Sequence, residues 1–345
     1  MKVLFLTLGD KRIASSRVRV YQYLKFLREA GIGCRVLFYT HPAQADAIIH
    51  ARKIGLFEKL RWKVFSVGRL IGILSLSLFY DVVFIQKVVP SRLFLSLLKA
   101  MNKRIVFDFD DAVYLRKDLT HVLKTASTVI AGNATLHERA SKSSSNVHTL
   151  PSPISVPSGD LRGRCKNNGI VIGWIGSPGT SIFLEPLKEV LLKLKERISD
   201  LHVQFIGADR SLEKPGFEVI GWDSISESEQ IGNFDIGIMP LPDTELSSGK
   251  CGYKILQYMA AGIPAVASPV GVNREFIHDG VNGFLASSSE EWSDRLSALL
   301  EDKDLRAKMG EAGRRMAQDY SYGAIAPKLI ALLKACAAGE EKRYV

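Results

Sequence analysis

Short apolar runs alternating with stretches of helical spacing set the rhythm of this chain. Residues 2–8 form a first apolar run, and residues 17–30 follow with Val20, Tyr23, Leu24 and Leu27 spaced to share one helical face. Gly31-Ile32-Gly33 stops that helix, and residues 34–39, 81–86, 104–109 and 128–131 read as further strands. The stretch 151–168, with its prolines, glycines and basic residues, reads as a linker. The pattern then restarts: strands are predicted at 169–175, 202–206, 235–239 and 265–268, and helices at 182–197 and 253–261. Alternation of this kind predicts α/β architecture, with parallel sheets covered on both faces.

Length and composition agree with two such sheets. A chain of 345 residues, 46% hydrophobic and 24% charged, has the material for two cores and is no disordered polymer. The expected arrangement is two Rossmann-like, doubly wound domains facing a central cleft, with ligands beyond the carboxyl ends of the strands. Cys34, Cys165, Cys251 and Cys336 are scattered, without zinc-ligand spacing, and read as free thiols of a reducing cytosol. The amino-terminal apolar run is too short for a signal peptide and is followed by Gly9-Asp10-Lys11-Arg12. The longest uncharged apolar stretch, 70–80, is too short to span a bilayer, so a cytoplasmic protein is expected. Charge is uneven. Residues 1–160 carry 24 lysines and arginines against 11 aspartates and glutamates; the remainder carries 22 against 25. That excess concerns partners of the first half, not its fold.

The most informative segment runs from Gly249 to Ser268: a loop, a short helix, a glycine stop and a strand. Lys250 and Lys254 flank the helix start at Gly252-Tyr253, where free N–H groups already favour anions. Two ammonium groups there suit a diphosphate, although solvated lysines near a helix end are also ordinary. One turn on, Gln257 offers donors and an acceptor for ribose hydroxyls. With Gly271-Val272-Asn273-Arg274-Glu275, Asp279-Gly280-Val281-Asn282-Gly283-Phe284-Leu285 and the upstream 234–241, this segment resembles the nucleotide-binding half of family 4 (group 1) glycosyltransferases of the GT-B fold. The likeness covers most of 169–325. It implies a nucleoside diphosphate sugar as co-substrate, retention of anomeric configuration, and no required metal or other cofactor. Lys250 and Lys254 would stabilise the departing diphosphate, and Gly252, Tyr253, Gln257 and Asn273 would contact the donor. Many members carry two glutamates eight positions apart around this helix; here the positions hold Gly249 and Gln257. Where members place Arg and Lys after the first strand of this domain, this chain has Ser177 and Thr180, leaving Lys250 and Lys254 to supply the charge. Trp222, in Ile220-Gly221-Trp222, lies where the family commonly holds the base; it either stacks on it or packs in the core.

In the first half, Ser15-Ser16-Arg17-Val18-Arg19 follows the first strand; Ser16 reads as a helix N-cap and Arg17 as a phosphate ligand or a solvated charge. Phe107-Asp108-Phe109-Asp110-Asp111 ends a strand in carboxylates. Alternation puts Asp108 and Asp110 on one side, and such acids suit metal binding or general-base work. The resemblance favours acceptor orientation by Asp110 and Asp111, with Asp111 alternatively capping a helix. Asn133 stands at another strand end, and His121, His137 and His148 lack metal spacing. Residues 51–80 combine Arg52, Lys53, Lys59, Arg61, Lys63 and Arg69 with Leu56, Phe57, Leu60, Trp62 and Phe65. This composition suits an interfacial segment, each basic residue adding about 1 kcal/mol on anionic lipid; otherwise the helix simply covers the sheet. No nucleic-acid motif accompanies the charge.

These readings predict an acceptor-binding domain at 1–158, a donor domain at 159–323, and a helix in 324–345 packing back on the first domain. The expected activity is sugar transfer to a glycan or lipid-linked acceptor. An epimerase of the same fold, or a non-catalytic nucleotide-sugar binder, are the rival expectations.

Overall fold

The computed structural model describes residues 1–39, 55–158, 169–223 and 226–340, the side chains of 58–66 excepted. By contact the chain divides into two compact units, Met1–Pro153 with Tyr322–Val345, and Ile154–Ser321.

The first unit is built on six strands: β1 Lys2–Thr7, β2 Gly33–Phe38, β3 Val82–Gln86, β4 Ile105–Phe109, β5 Thr128–Ala131 and β6 Val147–Thr149. They are all parallel, in the order β2-β1-β3-β4-β5-β6. The apolar runs of β1, β3, β4 and β5 are buried nearly throughout, as strands covered on both faces must be. Strand order reverses between β1 and β3, which makes their carboxyl ends the natural ligand position of this sheet.

The helix predicted at 17–30 is three pieces: Ala14–Arg19, a 3-10 turn Tyr21–Tyr23, and Leu24–Glu29. The break falls at Val20 (φ −134°, ψ −63°), outside the helical basin. Ser16 is not the N-cap; Ile13 holds that place, and Ser16 is buried inside the first piece.

In the second unit the strands are β7 Ile170–Ile175, β8 Leu201–Ile206, β9 Glu218–Ile220, β10 Ile236–Met239, β11 Ala265–Ala267 and β12 Gly283–Leu285. They too are all parallel, in the order β12-β11-β10-β7-β8-β9, and the reversal lies between β10 and β7. The helix predicted at 182–197 begins instead as a 3-10 segment, Pro178–Leu187, and turns α-helical only at Lys188–Arg197. Pro186 explains this: it has no N–H for an α-helical bond, and its ring clashes with the carbonyl one turn back.

The contact boundary falls at Pro153/Ile154, not at 158/159. Ile154 pairs with Ser321 as an isolated bridge, and its N–H donates to the Tyr320 carbonyl at 2.8 Å, so both ends of the second unit are tied side by side. The helix Tyr322–Ala338 then belongs to the first unit. Its Ile325, Leu329 and Leu333 are buried among Val3, Phe5 and Phe84, and the Tyr322 hydroxyl reaches the Val18 carbonyl at 3.0 Å.

Candidate functional site

In the second unit, the helix Tyr253–Ala260 is seated over the reversal point by its own residues. Gly237 on β10 leaves room for the Tyr258 ring, which an added Cβ would meet at 2.4 Å. The Tyr258 hydroxyl takes the Ile175 N–H at 3.3 Å and donates to the Ile238 carbonyl at 3.2 Å, bridging β7 and β10. The helix opens at Gly252, whose φ of +60° is left-handed and whose missing Cβ clears Phe276 and Val272. Both demands fall on one residue, so the N–H groups of this helix are aimed by a position that only glycine fills.

Lys250 and Lys254 stand at that amino end. The Lys254 ammonium lies 4.7 Å from the Trp174 ring centroid, and that of Lys250 lies 5.6 Å from Phe183. Burial first, and then Lys250, pull Lys254 from the ordinary 10.5 down to about 7. The start of this helix thus carries two ammonium groups, each over an aromatic face. Ser177 and Thr180 close the turn after β7: the Ser177 N–H donates to Thr180 Oγ1 at 3.1 Å, and Thr180 Oγ1 donates back to the Ser177 carbonyl at 3.0 Å. Tyr253 is partly buried against the core. Asn273 points inward, 1% exposed, with its amide donating to the Ser268 carbonyl at 2.9 Å, so it braces the loop after β11.

Trp222 and Gln257 meet through a residue that sequence reasoning missed. Glu227, in the helix Glu227–Gly232, accepts the Trp222 indole N–H at 2.8 Å on Oε2 and the Gln257 amide on Oε1. Nothing local marks Glu227, because 30 residues separate it from Gln257.

At the carboxyl end of the first sheet the charges are matched. Arg19 is fully buried against Asp108, with Nε at 3.2 Å from Oδ2 and Nη2 on Oδ1, and also donates to the Leu150 carbonyl at 2.7 Å. Burial opposes both charges. On Arg19 the Asp108 carboxylate outweighs it and holds the guanidinium above its ordinary value; on Asp108 burial wins and pushes the carboxyl up. Asp108 and Asp110 therefore do not act as one pair, since the strand ends at Phe109. Asp110 and Asp111 instead share Lys87, whose ammonium lies 3.1 and 3.2 Å from them. Burial alone would lower Lys87, but Asp110 and Asp111 outweigh it and hold the ammonium above the usual lysine value. Lys87 also has a φ of +57°, unique among the described non-glycine residues. Such a conformation costs about 1–3 kcal/mol and concentrates at functional sites.

Asp111 is not the N-cap of the 3-10 turn Val113–Leu115, where Ala112 holds that place; its Oδ1 accepts the Ala112 N–H at 3.0 Å. Asn133 is an N-cap, its Oδ1 accepting the Leu136 N–H at 2.8 Å. Ser16 bonds Gln86 at 3.2 Å, which ties the first helix to β3, and Arg17 lies on the same short helix, partly buried. In the segment 51–80, Arg52 and Lys53 and the side chains of Lys59, Leu60, Arg61, Trp62, Lys63 and Phe65 lie outside the described residues. The helix Leu56–Ser77 exposes Leu56, Phe57, Val67 and Ile71, and no described helix is long and apolar enough to cross a membrane.

Comparison with known proteins bears on the family and the fold. The family described as Glycosyl transferases group 1 matches residues 170–302. A D-inositol 3-phosphate glycosyltransferase of Corynebacterium aurimucosum is 38% identical over 80 residues, 23% of this chain and 19% of that protein. The match thus spans about a fifth of the length of that curated relative. Among solved structures, HepE of Anabaena, in complex with UDP and glucose, aligns with a TM-score of 0.67 at 16% identity, over 97% of this chain and 100% of its own. Sucrose-phosphate synthase from Thermosynechococcus elongatus aligns at 0.70 and 14% identity, over 99% and 100%. At these identities the likeness speaks to fold: two parallel α/β units of GT-B type.

Proposed function

We propose that this chain, whose residues 170–302 belong to the group 1 glycosyl transferases, moves a sugar from a nucleoside diphosphate sugar to an acceptor hydroxyl. The observation that carries the reading is the amino end of the helix Tyr253–Ala260, seated at the strand reversal with Lys254 and Lys250 beside it. The sugar C1–phosphate oxygen bond breaks, and charge gathers on the diphosphate where the helix N–H groups and both ammonium groups meet it. The acceptor oxygen bonds to C1, and its proton leaves with the phosphate oxygen, giving retention. Asp110 and Asp111, balanced by Lys87, orient the acceptor hydroxyl. No metal is needed, because lysines meet the diphosphate charge.

The acceptor is a polyol of a glycan or a lipid headgroup, the reaction serving cell-surface glycan or glycolipid synthesis. The exposed apolar side chains of Val67, Ile71, Leu78, Phe79, Leu93 and Leu97, in the basic first half of the chain, support work at an anionic membrane face. Liposome flotation tests this: retention on anionic but not on neutral vesicles is expected.

The test of the whole reading is a thermal-shift screen of nucleotide sugars, followed by transfer to polyol acceptors in EDTA. A stabilising donor, released as nucleoside diphosphate with an α-linked product from an α-linked donor, is the expected result. Gly249 in place of a glutamate favours one second reading, a binder that holds the donor without transferring it. It predicts stabilisation with neither transfer nor hydrolysis.

A further inference from the structure

We infer that Arg19 is a positioning residue for the acceptor: by gripping Asp108 it sets the course of the chain out of β4, and so the place of Asp110 and Asp111. The inference rests on the reading of Asp110 and Asp111 as the carboxylates that orient the acceptor hydroxyl.

The need for such a grip comes from where the strand stops. β4 ends at Phe109, so Asp110 and Asp111 lie beyond its last paired residue. Asp108, just before that end, is held twice. Its carboxylate takes Arg19 Nε on Oδ2 at 3.2 Å and Nη2 on Oδ1, while its carbonyl takes the Lys87 N–H at 2.7 Å. Lys87 then turns, at a φ of +57°, and its ammonium reaches Asp110 and Asp111 at 3.1 and 3.2 Å. Arg19, Asp108, Lys87 and the two carboxylates past the strand thus form one connected set.

Arg19 is itself fixed from the other side. The helix Ala14–Arg19 turns Ser16 and Arg19, three residues apart, toward Gln86 and Asp108, which are register partners across β3 and β4. Two contacts on one face settle both the position and the rotation of so short a helix. Arg19 Nη1 donates to the Leu150 carbonyl at 2.7 Å, just past β6, so one planar guanidinium joins the first helix, β4 and the chain leaving β6. Stability alone does not call for this arrangement. A buried ion pair is worth little more than apolar side chains of the same volume, because desolvation offsets the attraction. Apolar contact has no direction, whereas the rigid fork of arginine fixes the plane of the carboxylate it meets.

Arg19→Met with Asp108→Leu replaces the pair by apolar side chains, and Arg19→Lys keeps the charge without the fork. Both are compared with wild type by thermal melts, by hydrogen exchange at the Lys87 and Gly132 amides, which bond the Asp108 and Phe109 carbonyls, and by transfer from UDP-glucose and GDP-mannose to myo-inositol, glycerol and glucose. The double variant should melt with the wild type. Its two amides should nonetheless exchange about tenfold faster, the mark of a loosened strand end in an intact fold. Its kcat should fall about 10- to 100-fold with the donor KM unchanged, the scale of a reacting group displaced by about 1 Å. Arg19→Lys should fall between the two. A double variant with wild-type stability, wild-type protection of both amides and wild-type kcat overturns the inference, since packing alone would then suffice. Should the double variant not fold, Arg19→Lys decides: full protection with full kcat overturns the inference. If the wild type transfers to none of these acceptors while the variants lose protection at both amides, the acceptor reading falls and the anchoring of β4 by Arg19 stands.

Discussion

At the carboxyl end of the first sheet, Arg19 is buried on Asp108 and Lys87 bridges Asp110 and Asp111; at that of the second, Lys254 lies on Trp174 and Lys250 on Phe183. The two sheets are alike in having six parallel strands with a single reversal of order. What differs is what lies against the positive charges at their carboxyl ends. The first unit settles its positive charge internally, and the cost of burying it is met by carboxylates already in the fold. The second sets two ammonium groups over aromatic faces, and on the proposed reading an incoming diphosphate meets them there. On the proposed function, the end with matched charges orients a neutral hydroxyl and the end with two ammonium groups over aromatic faces receives the diphosphate.

The comparison breaks first, and with the largest effect, under the same kind of substitution in both units. Arg19→Met strands Asp108 in the core and should cost about 3–5 kcal/mol in urea unfolding. Lys254→Met removes a half-buried cation and should leave unfolding stability unchanged or raised. If both variants lose stability alike, the contrast is wrong.

Next in size is ligand affinity. Lys250→Ala with Lys254→Ala should weaken nucleoside diphosphate binding about 100-fold by calorimetry, on the scale of two charge-assisted hydrogen bonds.

The pH dependence is smaller and has a definite sign. In the free protein Lys254 sits at about 7 against 10.5 unfolded, so between those values the unfolded state binds more protons and stability rises with pH. A bound diphosphate favours the ammonium and raises its pKa. Affinity is therefore full below pH 7 and falls, by up to about tenfold per pH unit, as pH rises above it. Calorimetry in buffers of different ionisation enthalpy at pH 8 should show proton uptake on binding, and Lys254→Met should abolish it.

The smallest effect sharpens the first unit. Lys87→Gly keeps the left-handed backbone and removes the ammonium, so stability should stay within about 1 kcal/mol of wild type. Turnover should fall through kcat at saturating donor. Lys87→Met retains the strain without the ion pairs and should be the less stable of the two in thermal melts.

Much of this was legible along the chain. The apolar runs that became β1, β3, β4, β5, β7 and β10 had to be buried on both faces, and their buried hydrophobic sequences say so without any partner. Lys250, Gly252 and Lys254 sit within five consecutive positions, so the amino end of their helix can be read as an anion site before any fold is known. The short strands β6, β9 and β12 escaped because three residues carry too little periodicity to separate from a loop; β11, equally short, was legible because it follows a glycine stop and lies in the apolar run 263–267. The pieces of the 17–30 segment escaped for another reason: apolar spacing records which face is buried, not whether the backbone stays helical between the buried positions.

The tertiary structure alone decided the pairings. Arg19 meets Asp108 across 89 residues, Lys87 meets Asp111 across 24, and Glu227 meets Gln257 across 30. No local period encodes such distances; they follow from which strands become neighbours in the sheet and which loops that brings together. The sequence determined that this chain would build two parallel sheets and set two lysines at a helix start. Only the fold determined which charges would be neutralised from within, because the energy of a charge depends on what lies a few ångströms away in space, not along the chain.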